Sequence, residues 1–307
     1  MKKPKILVIL GPTATGKSEL AVKLANRLRQ GYGGQRKIKG EVISGDSRQV
    51  YIGLDIGTGK ITRKEMLGVP HHMIDVVSPK KVFSVAEWKK QTEKVIESII
   101  SRNKLPIICG GTGFYIQSIV DNIVLPEVPP NIALRKKLSQ VKPTKLFEML
   151  KKLDPERAKT IEKENSVRLI RAIEIAKALG SVPKLKKQRP SYQILQIGLT
   201  LPNKELRQRI HARLLARMKK GMVKEAQNLH KGGLSLKRMR ELGLEYRYLA
   251  NLIENKMTKS EFSQKLETEI WHLGRRQMTW FKRDKRVKWF KPKEIRKIKE
   301  RVKKFLY

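Results

Sequence analysis

Residues Gly11, Pro12, Thr13, Ala14, Thr15, Gly16, Lys17 and Ser18 form an unbroken GxxxxGKS octapeptide between the apolar run Lys5–Leu10 and the helical pattern Glu19–Leu28. This stretch constrains the fold most, because it works as a phosphate loop only where a strand delivers it and a helix leaves it. Gly11 and Gly16 open backbone conformations closed to residues with a Cβ, so successive N–H groups turn inward around phosphate oxygens. Lys17 adds a charge, Ser18 a hydroxyl ligand for magnesium, and the following helix points its positive dipole end at the same anion. A chance match in so lysine-rich a chain has odds on the order of one in fifty, before the flanking elements are counted. All eight residues are therefore candidate polyphosphate ligands.

Leu20, Leu24 and Leu28, with Ala21 and Ala25 beside them, give the first helix one apolar face and complete a βα unit. Gly31–Gly40 is glycine-rich and basic and reads as an exposed excursion. Glu41–Ser44 reads as a second strand that delivers Asp46, Ser47, Arg48 and Gln49 to the sheet edge where open α/β folds place their sites. Asp46 is the first candidate base; an isolated Asp-Ser pair more often makes an Asx turn, but its place beside a phosphate loop favours chemistry. Asp55–Lys60 is a small-residue loop whose Lys60 can reach an anion, and the adjacent His71 and His72 are expected to be structural, since no zinc spacing occurs. Ser84 and Glu87 form a capping box before a helix with Val85, Trp88, Val95, Ile96 and Ile99 inward. Ile107 and Ile108 lead a buried strand into a second glycine turn, Gly110–Tyr115, which places Thr112 to face the phosphate loop.

From about Asp121 to Gln188 the alternation of strand and helix gives way to charged helical sequence, predicting a core of residues 1–121 and 190–307 interrupted by a helical insertion, 122–189. Arg168 and Arg171 lie three apart on one side of a helix starting near Asn165, away from Leu169 and Ile173. Ile194–Leu201 alternates like a returning core strand. After Pro202 one helix is predicted to about Leu229, with Leu206, Ile210, Leu214 and Met218 packing and Arg209, Arg213 and Arg217 on a neighbouring stripe; Arg213 faces the phosphate site if this helix flanks the sheet. Aromatic and basic residues interleave from Trp271 to Arg283, which suits an RNA channel, although Trp271 and Phe281 suit a core equally well. The tail from Lys291 reads as a lysine-rich helix.

Charge narrows the partner. The 69 Lys and Arg against 28 Asp and Glu leave a net +41, far more than one phosphate ligand requires, and point to a polyanion. The single cysteine, Cys109, excludes a disulfide framework, and no stretch is apolar enough for a membrane span. A soluble cytoplasmic protein with no membrane partner is expected.

With these segments in order, the chain resembles the tRNA dimethylallyltransferases, also called IPP or tRNA isopentenyltransferases, along nearly its whole length. The resemblance rests on eight blocks: Gly11–Ser18, Ser44–Tyr51, Asp55–Lys60, Pro70–Asp75, Gly110–Tyr115, Val167–Arg171, Arg240–Glu245 and Arg275–Trp280. It implies an α/β fold of the P-loop NTPase, nucleotide-kinase-like kind, with a parallel sheet core and an inserted all-helical subdomain that contacts tRNA. It also implies transfer of a dimethylallyl group from dimethylallyl diphosphate to N6 of the adenosine at tRNA position 37, beside the anticodon, with magnesium as cofactor and no nucleotide hydrolysis. The octapeptide then cradles the donor diphosphate. Asp46, Ser47, Arg48, Gln49, Thr112, Arg135, Val167, Arg168, Leu169, Ile170, Arg171, Arg240, Glu241, Leu242, Gly243, Leu244, Glu245, Arg276 and Gln277 fall on tRNA-contacting positions. A monomer acting on the anticodon stem-loop is expected. Three departures stand out: Leu244 where the family usually has tyrosine, Ile61 where proline is common, and the Gly31–Gly40 stretch that lengthens the first crossover.

The catalytic parts expected on this basis are Lys17, Ser18-bound magnesium and Arg213 on the departing diphosphate, Asp46 as acceptor of the amine proton, and Thr112 as an orienting hydroxyl. Two rivals share the phosphate loop: a small-molecule kinase, which does not need a net +41, and an RNA-binding NTP-dependent switch, which does not need Asp46 facing the cradle.

Overall fold

The computed structural model describes residues 3–30 and 38–307, so most of the Gly31–Gly40 excursion lies outside the described residues. Eight strands are described: β1 Lys5–Leu10, β2 Gly40–Ser44, β3 His71–His72, β4 Leu105–Gly110, β5 Ile123–Val124, β6 Lys186–Lys187, β7 Gln193–Leu199 and β8 Lys288–Phe290. Six of them form one sheet in the order β3-β2-β4-β1-β7-β8, and every pairing in it is parallel. Fully parallel strands need both faces covered, and their residues are accordingly buried on both sides rather than alternately exposed.

On one face Leu7, Ile9, Val42, Ile107 and Ile197 pack with Leu20, Leu24 and Leu28 of α1 (Lys17–Gln30), the apolar stripe expected of the first helix. The C-terminal helix, Ile295–Leu306, adds Ile298, Val302 and Leu306 there. The other face, with Ile6, Val8, Leu10, Ile43 and Ile108, is covered by the remaining core helices. These are α3 Val85–Ser101, α4 Gly113–Val120, α9 Asn203–Lys219, α10 Met222–Lys231, α11 Leu236–Glu241, α12 Leu244–Ile253 and α13 Lys259–Phe281; the short α2, Arg63–Met66, buries no residue, and the C-terminal helix is α14. Ser84 and Glu87 close the anticipated capping box on α3. Inside it, the fully buried Trp88 stacks on Tyr115 with centroids 4.6 Å apart and donates its ring N–H to the Ser44 carbonyl at 3.1 Å.

Two predicted elements differ. The single helix expected from Pro202 to Leu229 is broken at Gly221, whose φ of +96° is a left-handed turn that only glycine takes cheaply, giving α9 and α10. The sequence also hid β8, whose three residues are too few to show a period. Trp271 and Phe281 are 7% and 4% exposed, so both belong to the core rather than to an RNA surface.

The chain divides into two compact units, 1–122 with 190–307, and 123–189. The second contains α5 Ile132–Leu138, α6 Pro143–Leu153, α7 Pro155–Thr160 and α8 Ser166–Leu179 around Leu138, Leu146, Leu150, Leu169 and Ile173. It is not all helical: β5 and β6 pair antiparallel as a short ribbon.

Candidate active site

The sheet order puts β2, β4 and β1 side by side, so the loops at their carboxyl ends meet at one edge, the position where open α/β sheets bind ligands. At the end of β1, Gly11 (φ +141°), Ala14 (φ +62°) and Gly16 (φ +86°) turn the octapeptide into α1, whose first N–H groups have no helical partner. A Cβ on Gly11 would lie 2.4 Å from the Leu199 carbonyl oxygen, so β7 demands glycine there. Thr15 is fully buried and donates its hydroxyl to the Pro12 carbonyl at 2.8 Å, a loop-shaping role in place of a side-chain phosphate contact.

Lys17 folds back on the same carbonyl at 2.6 Å, and burial lowers its pKa to about 8, while Cys109 and Asp46 pull it up and Arg213 pulls it down. Ser18 is exposed and hydrogen-bonds Cys109. Arg213, on α9, donates to the Thr13 hydroxyl at 3.3 Å and to the Gly59 carbonyl at 3.0 Å, and desolvation lowers its pKa. The placement of Arg213 expected from its helix stripe is thus the one observed. A cleft of about 950 Å³ opens here, with Gly16, Lys17 and Ser18 on one wall and Arg209, Arg213 and Arg217 on the other.

Beyond β2, Asp46 accepts the Arg48 N–H at 2.8 Å through Oδ1, an Asx turn that leaves its second oxygen with no hydrogen bond among the described residues. Thr112 departs from expectation: it addresses the 45–47 turn and not the phosphate loop. Its hydroxyl accepts the Ser47 N–H at 2.9 Å and its own N–H donates to the Gly45 carbonyl at 3.1 Å. The residue that does brace the phosphate loop is Gln277 on α13, which accepts the Thr13 N–H at 2.9 Å and donates to the Gly111 carbonyl at 3.0 Å. With both amide ends engaged, Gln277 supports the loop.

Several other residues expected at RNA are buried or paired within the protein. Leu169 and Leu242 are 0% exposed and their side chains sit in apolar cores. Glu174, 3% exposed, draws in both Arg135, through two hydrogen bonds of 2.7 and 2.9 Å, and Arg171, which also donates to the Val128 carbonyl at 2.9 Å. These bonds hold the Glu174 carboxyl down at about 2 despite its burial. Arg168 pairs with Glu162 at 2.7 Å on the surface, and Arg240 with Glu254 and Asn251. Glu241 pairs with Arg238 at 3.0 Å and Glu245 with Arg217 at 3.2 Å. Lys60, expected to reach an anion, is bound by Asp55 and Asp75 at 2.6 and 2.5 Å. Val167 and Arg276 are exposed; Ser47, Arg48, Gln49, Ile170, Gly243 and Leu244 are half-buried, with Gln49 on the Ser44 hydroxyl at 3.2 Å.

Sequence reasoning put Arg217 on the arginine stripe but missed the loop it holds, and it missed Glu225 and Tyr246 altogether. Arg217 is 8% exposed and donates to the Gly57 carbonyl at 2.7 Å; Glu225 accepts the Gly57 N–H at 2.9 Å and is itself held by the Tyr246 hydroxyl at 2.6 Å. Their only local signal is a helix face, since the loop they hold lies about 160 to 190 residues earlier in the chain.

A sequence model described as IPP transferase matches residues 49–284. The chain belongs to the IPP transferase family. It is 36% identical to the tRNA dimethylallyltransferase of Anoxybacillus flavithermus over 99% of this chain and 95% of that protein. With tRNA dimethylallyltransferase 2 of Treponema denticola it shares 40% identity over 90% and 91% of the two chains. The crystal structure of the full-length tRNA isopentenylpyrophosphate transferase of Bacillus halodurans superposes with a TM-score of 0.71 at 34% identity, covering 99% of this chain and 97% of that one. A eukaryotic dimethylallyltransferase acting on tRNA shares the fold at TM-score 0.71 and 23% identity. The core of this IPP transferase family member, with its parallel sheet and phosphate loop, is a P-loop NTPase-like fold.

Proposed function

We propose that the chain is a transferase that moves the dimethylallyl group of dimethylallyl diphosphate to N6 of adenosine 37 in tRNA, beside the anticodon, and releases diphosphate. The observation that carries this reading is an intact phosphate loop whose Lys17 lies within electrostatic reach of both Arg213 and Asp46, in a chain of this family. As the allylic C–O bond breaks, the carbon gains positive charge and the diphosphate oxygens gain negative charge. Lys17, Arg213 and the N–H groups opening α1 bind that leaving group in a largely desolvated setting, where each is worth more than in water. The free oxygen of Asp46 accepts the proton that the exocyclic amine loses as the new C–N bond forms.

Magnesium fits the donor set: Ser18 offers one hydroxyl at the cleft, and no cluster of three or more acidic, histidine or cysteine side chains that could cage a metal occurs among the described residues. Such a site suits an ion held by one protein oxygen and the diphosphate itself, where it would supply charge neutralisation. The adenine must leave the anticodon loop stack to meet the donor, and the net +41 supplies the attraction for the RNA. Labelled dimethylallyl diphosphate incubated with unmodified tRNA and magnesium should pass its label to the RNA. Transfer of the γ-phosphate of ATP to a small alcohol instead would replace this reading with the kinase.

A further inference from the structure

Three consecutive backbone N–H groups converge on one carboxylate. Asp55 and Ile56 donate to Glu225 Oε2 at 3.1 and 2.6 Å, and Gly57 donates to Oε1 at 2.9 Å. A run of N–H groups turned to a common point is a nest that takes an anion, and here a side chain from the first turn of α10 fills it. Tyr246, 1% exposed, adds a fourth donor to Oε1 at 2.6 Å, and burial followed by the Glu225 charge raises its pKa well above the ordinary tyrosine value.

The loop offers its carbonyls to the cleft arginines. Gly57 accepts from Arg217 and Gly59 from Arg213, whose second nitrogen reaches Thr13 of the phosphate loop. Space leaves the loop no slack: a Cβ on Gly57 would lie 2.7 Å from the Tyr246 ring, and one on Gly59 2.3 Å from the Arg213 guanidinium. A continuous chain of hydrogen bonds therefore runs from Tyr246 through Glu225 and the 55–59 loop to Arg213 and Thr13.

We infer that Glu225 is a positioning residue for diphosphate departure: by filling the nest it fixes the 55–59 loop, whose Gly59 carbonyl aims Arg213 at the phosphate loop. The inference rests on the prenyl-transfer reading above. Glu225 does not line the phosphate-loop cleft. Its effect passes through Arg213, and a small error in placing such a group can cost about a hundredfold in rate.

Glu225→Ala leaves the three N–H groups and the Tyr246 hydroxyl around a space suited to a small carboxylate. Single-turnover transfer at saturating tRNA should fall about ten- to a hundredfold and the donor KM should rise, with tRNA affinity unchanged. Sodium formate should restore at least about tenfold of the lost rate in a saturable way, while chloride at equal ionic strength should not. In an Arg213→Ala background the same replacement should cost less than about threefold further, because the two act along one path. Wild-type kinetics in Glu225→Ala, or a loss that formate does not restore, would overturn the inference. Should Glu225→Ala fail to fold, Tyr246→Phe, which keeps the ring and removes one donor, carries the test: a raised donor KM at unchanged tRNA affinity supports the inference and unchanged donor kinetics refute it. Failure of the wild-type protein to prenylate tRNA would strike the parent reading instead, so the two failures are distinguishable.

Discussion

Replacing Arg168 and Arg171 with alanine, singly and together, separates an RNA contact from a folding contact within the 123–189 unit. On the helix both arginines project away from Leu169 and Ile173, yet their surroundings differ. Arg168 is 55% exposed and pairs with Glu162, so its loss costs under about 0.5 kcal/mol of stability. Arg171 shares the buried Glu174 with Arg135 and satisfies the Val128 carbonyl. Removing it strips one charge-assisted hydrogen bond from a buried carboxylate and one from a carbonyl, together about 2–3 kcal/mol, with Arg135 and the Asn131 N–H still in place to limit the damage. For a unit of about 70 residues each kcal/mol moves Tm by about 4–8 °C, so the transition of this unit should drop by roughly 10–20 °C in Arg171→Ala and barely move in Arg168→Ala. Every phosphate that a protein ceases to neutralise makes the plot of log affinity against log salt shallower by about 0.9. The double variant should therefore flatten the tRNA salt dependence by about one unit, through Arg168, and not by the roughly two units that both arginines on phosphates would give. Calorimetry reads the transition, and tRNA titrations between roughly 50 and 300 mM salt, where counterion release is steep, read the slope. A two-unit loss of slope with an unmoved transition would show that Arg171 leaves Glu174 for a phosphate, refuting this partition.

Asp46→Asn should lower single-turnover prenyl transfer about a hundred- to ten-thousand-fold while donor and tRNA affinities stay within about threefold; a near-normal rate would assign the proton to another acceptor. Thr112→Ala should be milder, since it withdraws one acceptor from the Ser47 N–H and no base. Lys17, lowered to about 8 by burial, must be protonated to hold diphosphate, so the donor Kd should rise about tenfold per pH unit above 8; a flat profile to about pH 9.5 would sink this. Between 8 and its ordinary value of 10.5 the folded state holds fewer protons on Lys17 than the unfolded one, so its contribution to stability rises with pH in that window. Glu41 lies beneath Arg102, Lys104 and His72, whose hydrogen bonds outweigh its burial and hold it at about 2. Its stabilisation is complete above its unfolded value near 4.5 and fades as pH falls toward 2, so Glu41→Gln should show a shallower acid loss in denaturant titrations.

What the sequence disclosed was local. The octapeptide, the capping box at Ser84 and the end of β2 at Asp46 each carry their signal within a few residues, and each stands where it was expected. Gln277, and not Thr112, meets the phosphate loop because a glycine turn fixes where the backbone goes but not which neighbour a side chain meets; Ser47 lies 65 positions from Thr112 and Thr13 lies 264 from Gln277. Arg171 eludes the sequence for a related reason. A helix wheel places it opposite Leu169, but one turn on sits Glu174, whose burial turns both Arg135 and Arg171 into its counterions. Leu169 and Leu242 fall within blocks shared with the family, and such a block does not distinguish residues that touch the ligand from those that carry them.

The place of β7 bears on how the protein is made. Gly11 rests against Leu199, and the strand carrying Leu199 closes the open side of β1, yet it leaves the ribosome some 190 residues later. At about 5–20 residues per second that delay is roughly 10–40 s, during which a strand apolar from Ile6 to Leu10 presents a bare edge to any passing strand. The nascent chain thus carries its most recognisable motif first and can complete it only late. Until Gln193–Leu199 has docked, the N-terminal half is a natural client for a chaperone and has no closed cradle with which to sequester a prenyl donor.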